Sequence, residues 1–205
     1  QTIDIHGGGH DLVFPHHENE LAQGTCAHDG ARYARFWMHN GFLTVDKEKM
    51  SKSLGNFVTV HELLGEHPGE AIRWALLSAH YRQPLDWSDD LLTQAKRTLN
   101  RLYGALEQAP GPDAPTTPPL AVIEALEDDL NTPKAMAEIS ALASALNQAP
   151  TAEAKAAIKG QLIAAGALMG VLQQRPQQWF GAQAKAKAVD AAEVERLIAA
   201  RTAAR

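Results

Sequence analysis

Cysteine is nearly missing from this chain: its 205 residues include one, Cys26. A lone thiol excludes an intrachain disulfide framework and suits a reducing compartment. Aromatic residues are scarce, at 6%, while alanine crowds the second half, a composition that favours helices packed through small side chains. No apolar run approaches the ~20 residues of a membrane-spanning helix, so no membrane association is expected. Positive charge is also short. A formal net charge of -5 argues against a protein that grips nucleic acid by bulk charge, leaving only local basic patches. The GxGxxG dinucleotide fingerprint is absent, as are a starting Met and a secretory signal before the first motif.

What remains is an ordinary globular composition, 45% hydrophobic and 21% charged, long enough for one or two domains. The chain opens on Gln1-Thr2-Ile3, directly into a strand-like run, and is expected to be a piece of something longer. Ile3-Asp4-Ile5-His6 alternates apolar and polar as a short strand does. Gly7, Gly8 and Gly9 then read as a glycine-rich turn. Such a turn is either plain punctuation or a place where a ligand approaches the main chain.

A helix is expected from about Pro15 to Ala27, with Pro15 at its first position, where a missing N–H costs nothing. On that helix His16 and Glu20 are four residues apart and share a face. An imidazole beside a carboxylate can ligate zinc, or can simply hydrogen-bond on a surface. Cys26 lies six residues past Glu20, about 120° around the helix. It is therefore expected to be a packed or half-exposed thiol and not a third ligand.

Arg35 to Val45 reads as a strand, or two short ones broken at the Asn40-Gly41 turn signal, with Trp37 and Phe42 as core. Asp46 to Asn56 reads as a loop. Its Lys49, Ser51, Lys52 and Ser53 can meet a polyphosphate, or form a solvated charged loop. Thr59 to Glu62 fits a capping box. Further helices are expected to start at Pro68 and Ser88, the latter carrying a stripe of Leu91, Leu92, Ala95, Leu99, Leu102 and Leu106. Lys96, Arg97 and Arg101 fall off that stripe, as a solvated face or an RNA-backbone contact. Five prolines between Gln108 and Pro119 mark a linker. Beyond it everything reads as helical: Val122 to Leu130, a helix capped at Asn131, one capped at Thr151 with Ile158, Leu162, Leu168 and Leu172 inward, and a last helix from Asp190.

Two separated motifs make sense together. Lys49-Met50-Ser51-Lys52-Ser53 is the KMSKS signature of class I aminoacyl-tRNA synthetases. Ile5-His6-Gly7-Gly8-Gly9-His10-Asp11-Leu12 with Phe14-Pro15-His16-His17-Glu18-Asn19-Glu20 resembles the cysteinyl-tRNA synthetases specifically. Thr25-Cys26-Ala27-His28-Asp29-Gly30, Trp37-Met38-His39 and Asp128-Asp129-Leu130-Asn131-Thr132-Pro133 match the same family. His10 departs from the small Ser expected after the glycines.

The resemblance implies a fold of α/β then all-α character: the C-terminal part of a Rossmann-like catalytic domain, then a helical bundle. The implied divisions are 1–57 (catalytic, with the KMSKS loop), 58–108 (helical stem-contact region), 109–119 (linker) and 120–205 (tRNA-binding type bundle). It implies a Zn2+ held by His16 and Glu20, with two further Cys ligands in stretches this chain does not contain. Lys52 maps to the lysine that contacts ATP, while Lys49, Met50, Ser51 and Ser53 shape the loop and Gly7, Gly8 and Gly9 border the nucleotide. His6 and His17 are implied near the amino-acid pocket. The implied substrates are L-cysteine, ATP with Mg2+, and tRNA(Cys), in a cytoplasmic enzyme that is monomeric when intact. The HIGH motif of the family is missing, so the expected chain is a C-terminal section, inactive without its N-terminal half. Two other readings are a related cysteine ligase of thiol biosynthesis, which departs from the family after His-His-Glu, and a non-catalytic helical binding fragment.

Overall fold

The computed structural model describes residues 2–45, 48–50 and 58–186. Strand β1 (Ile3–Gly9) pairs in parallel with β2 (Ala34–Asn40), in a register that sets Ile5 against Phe36, His6 against Trp37 and Gly8 against His39. Parallel neighbours need a crossover. Here it is a short 3-10 turn (His10–Leu12), a π turn (Val13–His17) and helix α1 (Glu18–Ala27). Side chains alternate between the faces of a strand. One face of this ribbon therefore carries His6, Trp37 and His39, and the other carries Ile5 and Phe36, which stand 64% and 68% exposed.

A second small sheet has the order β4-β3-β5: β3 (Leu43–Val45) lies between antiparallel β4 (Glu48–Lys49) and parallel β5 (Leu85–Trp87). Helices follow: α2 (Val60–Glu66), α3 (Gly69–Leu77), α4 (Asp89–Gln108), α5 (Leu120–Glu127), α6 (Thr132–Gln148), α7 (Ala152–Met169) and α8 (Pro176–Ala186). The architecture is thus α/β at the start and predominantly helical after it, with β5 the one strand among the described residues beyond α2.

Their ends are chemically specified. Thr59 Oγ1 accepts from the Glu62 N–H at 3.2 Å, and the Glu62 carboxylate accepts from the Thr59 N–H at 3.0 Å, a complete capping box. Ser88, Asn131 and Thr151 side chains accept from Leu91, Lys134 and Ala154 N–H groups at 3.2, 3.1 and 3.2 Å. Helix α7 stops at Gly170, whose φ of 65° is the left-handed geometry glycine accepts cheaply.

One hydrophobic core runs through the helices on both sides of the proline-rich stretch, with Leu92, Leu99, Leu102, Val122, Ile139, Leu146, Leu162 and Trp179 among its members. Tyr103 stacks on Trp179 at 4.7 Å, and its hydroxyl donates to the Glu70 carboxylate at 2.8 Å. Burial pushes the Tyr103 phenol well above its ordinary range. The same carboxylate accepts from the Leu172 and Gln173 N–H groups at 2.9 and 3.2 Å, holding the turn after α7 onto the start of α3. The proline-rich stretch is strapped down too. The Lys159 ammonium, 4% exposed, donates to the Ala109 and Gly111 carbonyls at 3.1 Å each and pairs with Asp113 at 2.7 Å.

Several expectations are corrected. Gly7, Gly8 and Gly9 are strand and not turn, because β2 supplies the hydrogen-bonding partner along their whole length. The helical backbone does begin near Pro15, as expected: Phe14 is extended, the Phe14–Pro15 peptide is cis, and the turn from Pro15 to His17 runs directly into α1 at Glu18. The run from Arg35 to Val45 does break at Asn40-Gly41 into two strands, β2 and β3. Gly41 donates its N–H to the Tyr81 carbonyl at 2.7 Å, and β3 pairs with β4 and β5. Strand β4 lies within the stretch expected to be loop, and β5 was not expected. Phe42 and Leu168 are exposed, Trp37 is half-buried, and the Cys26 thiol is exposed. Helix α5 ends at Glu127, three residues before Leu130. Ser51, Lys52, Ser53 and the helix expected from Asp190 lie outside the described residues.

Candidate active site

Strand β1, the π turn and the first turn of α1 bring His6, His16, His17 and Glu20 together. Glu20 divides its carboxylate between two imidazoles. Its Oε2 lies 2.8 Å from His6 Nε2, and its Oε1 lies 3.5 Å from His16 Nε2. An ionised carboxylate only accepts, so His6 Nε2 carries the proton of the shorter contact.

His17 is buried beneath β1 and bonds through Nδ1 to His39 Nε2 at 2.8 Å. Gly8 makes this possible: a Cβ there would stand 2.8 Å from Leu12 Cδ1 and 3.0 Å from His17 Cε1. Glycine thus lets an imidazole pack against the strand. His39 is held below the ordinary histidine range, first by burial and then by repulsion from His17, His10, Arg82 and His6. His6 meets the rings of His17, Trp37 and Tyr33 edge-on, with centroids 4.7, 4.9 and 5.5 Å away.

Among the described residues, His6, His17 and Glu20 form a group whose donor atoms all lie within 4.8 Å of one another. Donors on a tetrahedral zinc, each about 2.0–2.2 Å from the ion, stand about 3.3 Å apart. His16 Nε2 and Glu20 Oε1, at 3.5 Å, fit that spacing, and imidazole with carboxylate is a suitable donor set. Cys26 is exposed and is not part of this group.

Lys49 closes β4, and Met50 lines an apolar crevice with Leu43, Val58, Leu63 and Trp87. His39, Trp37 and Tyr33 were not singled out as site residues from the sequence. Their signal lies in the strand register, which sets Trp37 beside His6 and His39 beside Gly8.

A second polar cluster lies where α3 ends and α6 begins. Asp129 accepts from Tyr81 Oη at 2.7 Å and from Arg82 Nε at 2.6 Å, with His80 Nε2 at 3.9 Å. Asp129 and Leu130 both sit at positive φ, 52° and 54°. Arg82 and then Tyr81 bring the Asp129 carboxyl down to about 2.

Residues 1–97 match the family of tRNA synthetases class I (C) catalytic domain, and residues 121–173 match the DALR domain. The whole chain is 59% identical to a cysteine–tRNA ligase of Parvibaculum lavamentivorans, 44% of whose length it covers. It is 54% identical to the enzyme of that name from Xanthomonas campestris pv. campestris, again over 100% of the chain and 44% of the relative. For Caulobacter vibrioides the figures are 56%, 100% and 45%. The chain therefore spans a little under half the length of these relatives. A crystal structure of an Agrobacterium radiobacter LeuRS in a ternary complex with tRNA and LeuAMS superposes with a TM-score of 0.65 at 17% identity. It covers 92% of this chain and 28% of that one, a likeness of fold. With its full length aligned to ligases of one name at more than half identity, and its two matched regions in catalytic-then-DALR order, the chain belongs to the cysteinyl-tRNA ligase family of class I synthetases.

Proposed function

We propose that this chain supplies part of the active site of a cysteine–tRNA ligase and the helical region that meets tRNA(Cys). The observation that carries this is the meeting of His16 and Glu20 at zinc-ligand spacing, on the helical crossover between β1 and β2. His16 and Glu20 would hold Zn2+ together with two thiolates from elsewhere in the enzyme. Zinc there would supply a soft-metal contact for the cysteine thiolate, a contact that a serine hydroxyl makes poorly. Pocket shape alone separates such near-isosteres by only ~10², so this contact removes the need for editing.

The reaction is ATP-dependent. A carboxylate oxygen of L-cysteine attacks the α-phosphorus of ATP, and pyrophosphate leaves. A hydroxyl of the terminal adenosine of tRNA then attacks the adenylate carbonyl, and AMP leaves. Lys52 and Lys49 meet the triphosphate, which would carry Mg2+ on its own oxygens, with Ser51 and Ser53 adding hydrogen bonds. Met50, seated in the apolar crevice, anchors the start of that loop. Gly7, Gly8 and Gly9 present strand backbone beside the nucleotide, and His6 and His17 line the floor of the amino-acid pocket. Residues 1–57 do this chemistry, 58–108 contact the tRNA stem, 109–119 connect, and 120–205 bind tRNA. The rest of the enzyme brings the remaining nucleotide contacts, and this chain alone charges no tRNA.

In the complete protein, His16→Ala should cut cysteine-dependent ATP–pyrophosphate exchange by orders of magnitude while leaving ATP affinity nearly unchanged. Equal loss of both would mean His16 is structural, and charging of an amino-sugar in place of tRNA would overturn the substrate assignment.

A further inference from the structure

The two oxygens of Glu20 are treated differently by the fold. Oε1 faces His16, which sits four residues earlier and whose side chain is 59% exposed. Oε2 is bonded to His6, which comes from another element and whose side chain is only 19% exposed. Strand pairing sets His6 beside Trp37, and three rings fence its imidazole. The partner on one side of the carboxylate is free to adjust, and the partner on the other is locked.

We infer that His6 is the positioning residue for Glu20. Its Nε2–H holds Oε2, so that Oε1 alone is turned toward His16 and the metal. This rests on the zinc reading above and refines it: His6 acts on the ligand and gives no electron pair to the ion. A ring nitrogen that donates its proton to Glu20 has no lone pair to offer.

The grouping of His6, His17 and Glu20 as ligands of one ion is the competing arrangement. His17 is poorly placed for it. Its Nδ1 is engaged by His39 at 2.8 Å, and its Nε2 edge lies under β1, where a Cβ on Gly8 would stand 3.2 Å from that nitrogen.

Outer partners of this kind change metal affinity by about 10–100-fold when removed. The test compares His6→Gln with His6→Met in the complete protein. The two side chains are similar in size, and only glutamine can donate a hydrogen bond. The readouts are zinc affinity by chelator competition, the absorption spectrum of the cobalt-substituted protein, and the melting temperature of the metal-free forms. His6→Met should bind zinc about 10–100-fold more weakly with an unchanged cobalt spectrum. His6→Gln should recover most of the affinity, and the metal-free forms should melt together. His16→Ala, by contrast, should alter the spectrum. Unchanged zinc affinity in His6→Met, or a spectrum showing a lost nitrogen ligand, would overturn the inference and leave the zinc reading standing. A parent protein that binds no zinc would overturn the zinc reading itself.

Discussion

Gly8 and His17 show how closely the site is fitted. The ring of His17 occupies the space a side chain at position 8 would need, and Leu12 closes the remainder. Gly8→Ala should therefore destabilise the protein by about 1–3 kcal/mol, the usual range for overpacking, as read by chemical denaturation. Asp129 offers a pH test. Its carboxyl is lowered from the ordinary 3.8 to about 2, so its stabilisation is complete above the ordinary value and is lost as pH falls through 3.8 toward 2. Asp129→Asn should flatten the acid limb of the stability curve in that window and leave its shape above pH 5 unchanged. An acid limb identical to the parent's would show that the cluster does not couple to folding. The approach of His16 to Glu20 was legible because a spacing of four residues on one helix is visible in sequence alone. His6 and Glu20 are fourteen residues apart, and a bond between them follows only once the crossover has returned α1 to β1. Glycines read as a turn because turns and close packing ask for the same residue.

Among the elements, those with local end signals were the ones read correctly. Thr59, Ser88, Asn131 and Thr151 each cap the helix they were expected to cap. Strand β5 has three residues and pairs with a strand more than forty positions earlier, so no local period announces it. Leu168 was placed inward by periodicity. It is exposed because α7 buries small residues such as Gly160, Ala164 and Ala165 on the face that meets its neighbours. The proline-rich stretch was readable as a break in composition but not as a docked strap, since the lysine that fastens it lies some fifty residues on. Lys159→Met removes hydrogen bonds from a buried charge to two carbonyls, a loss of about 2–3 kcal/mol. Faster proteolysis between Ala109 and Thr116 should accompany it; an unchanged cleavage rate would mean that the prolines alone hold this path.

At the scale of the molecule, two features bear on function together. The helices on both sides of the strap share one core, so a displacement of α6 or α7 is felt by α3 and α4. The ribbon of β1 and β2 carries the histidine cluster on one face and exposed Ile5 and Phe36 on the other. Parallel sheets are ordinarily covered on both faces, which supports a site completed by the rest of the enzyme. In the complete protein, Ile5 and Phe36 should lose their solvent exposure, and backbone amides of β1 should exchange more slowly than in this chain alone. Equal exchange would place the remaining part of the enzyme elsewhere. Whether His16 and Glu20 hold a metal that selects cysteine can be read from cysteine-dependent ATP–pyrophosphate exchange in the complete protein before and after zinc is stripped. Exchange should collapse on stripping and return when zinc is restored, with ATP binding unchanged throughout; undiminished exchange in the stripped protein would mean that no metal on this pair selects the substrate.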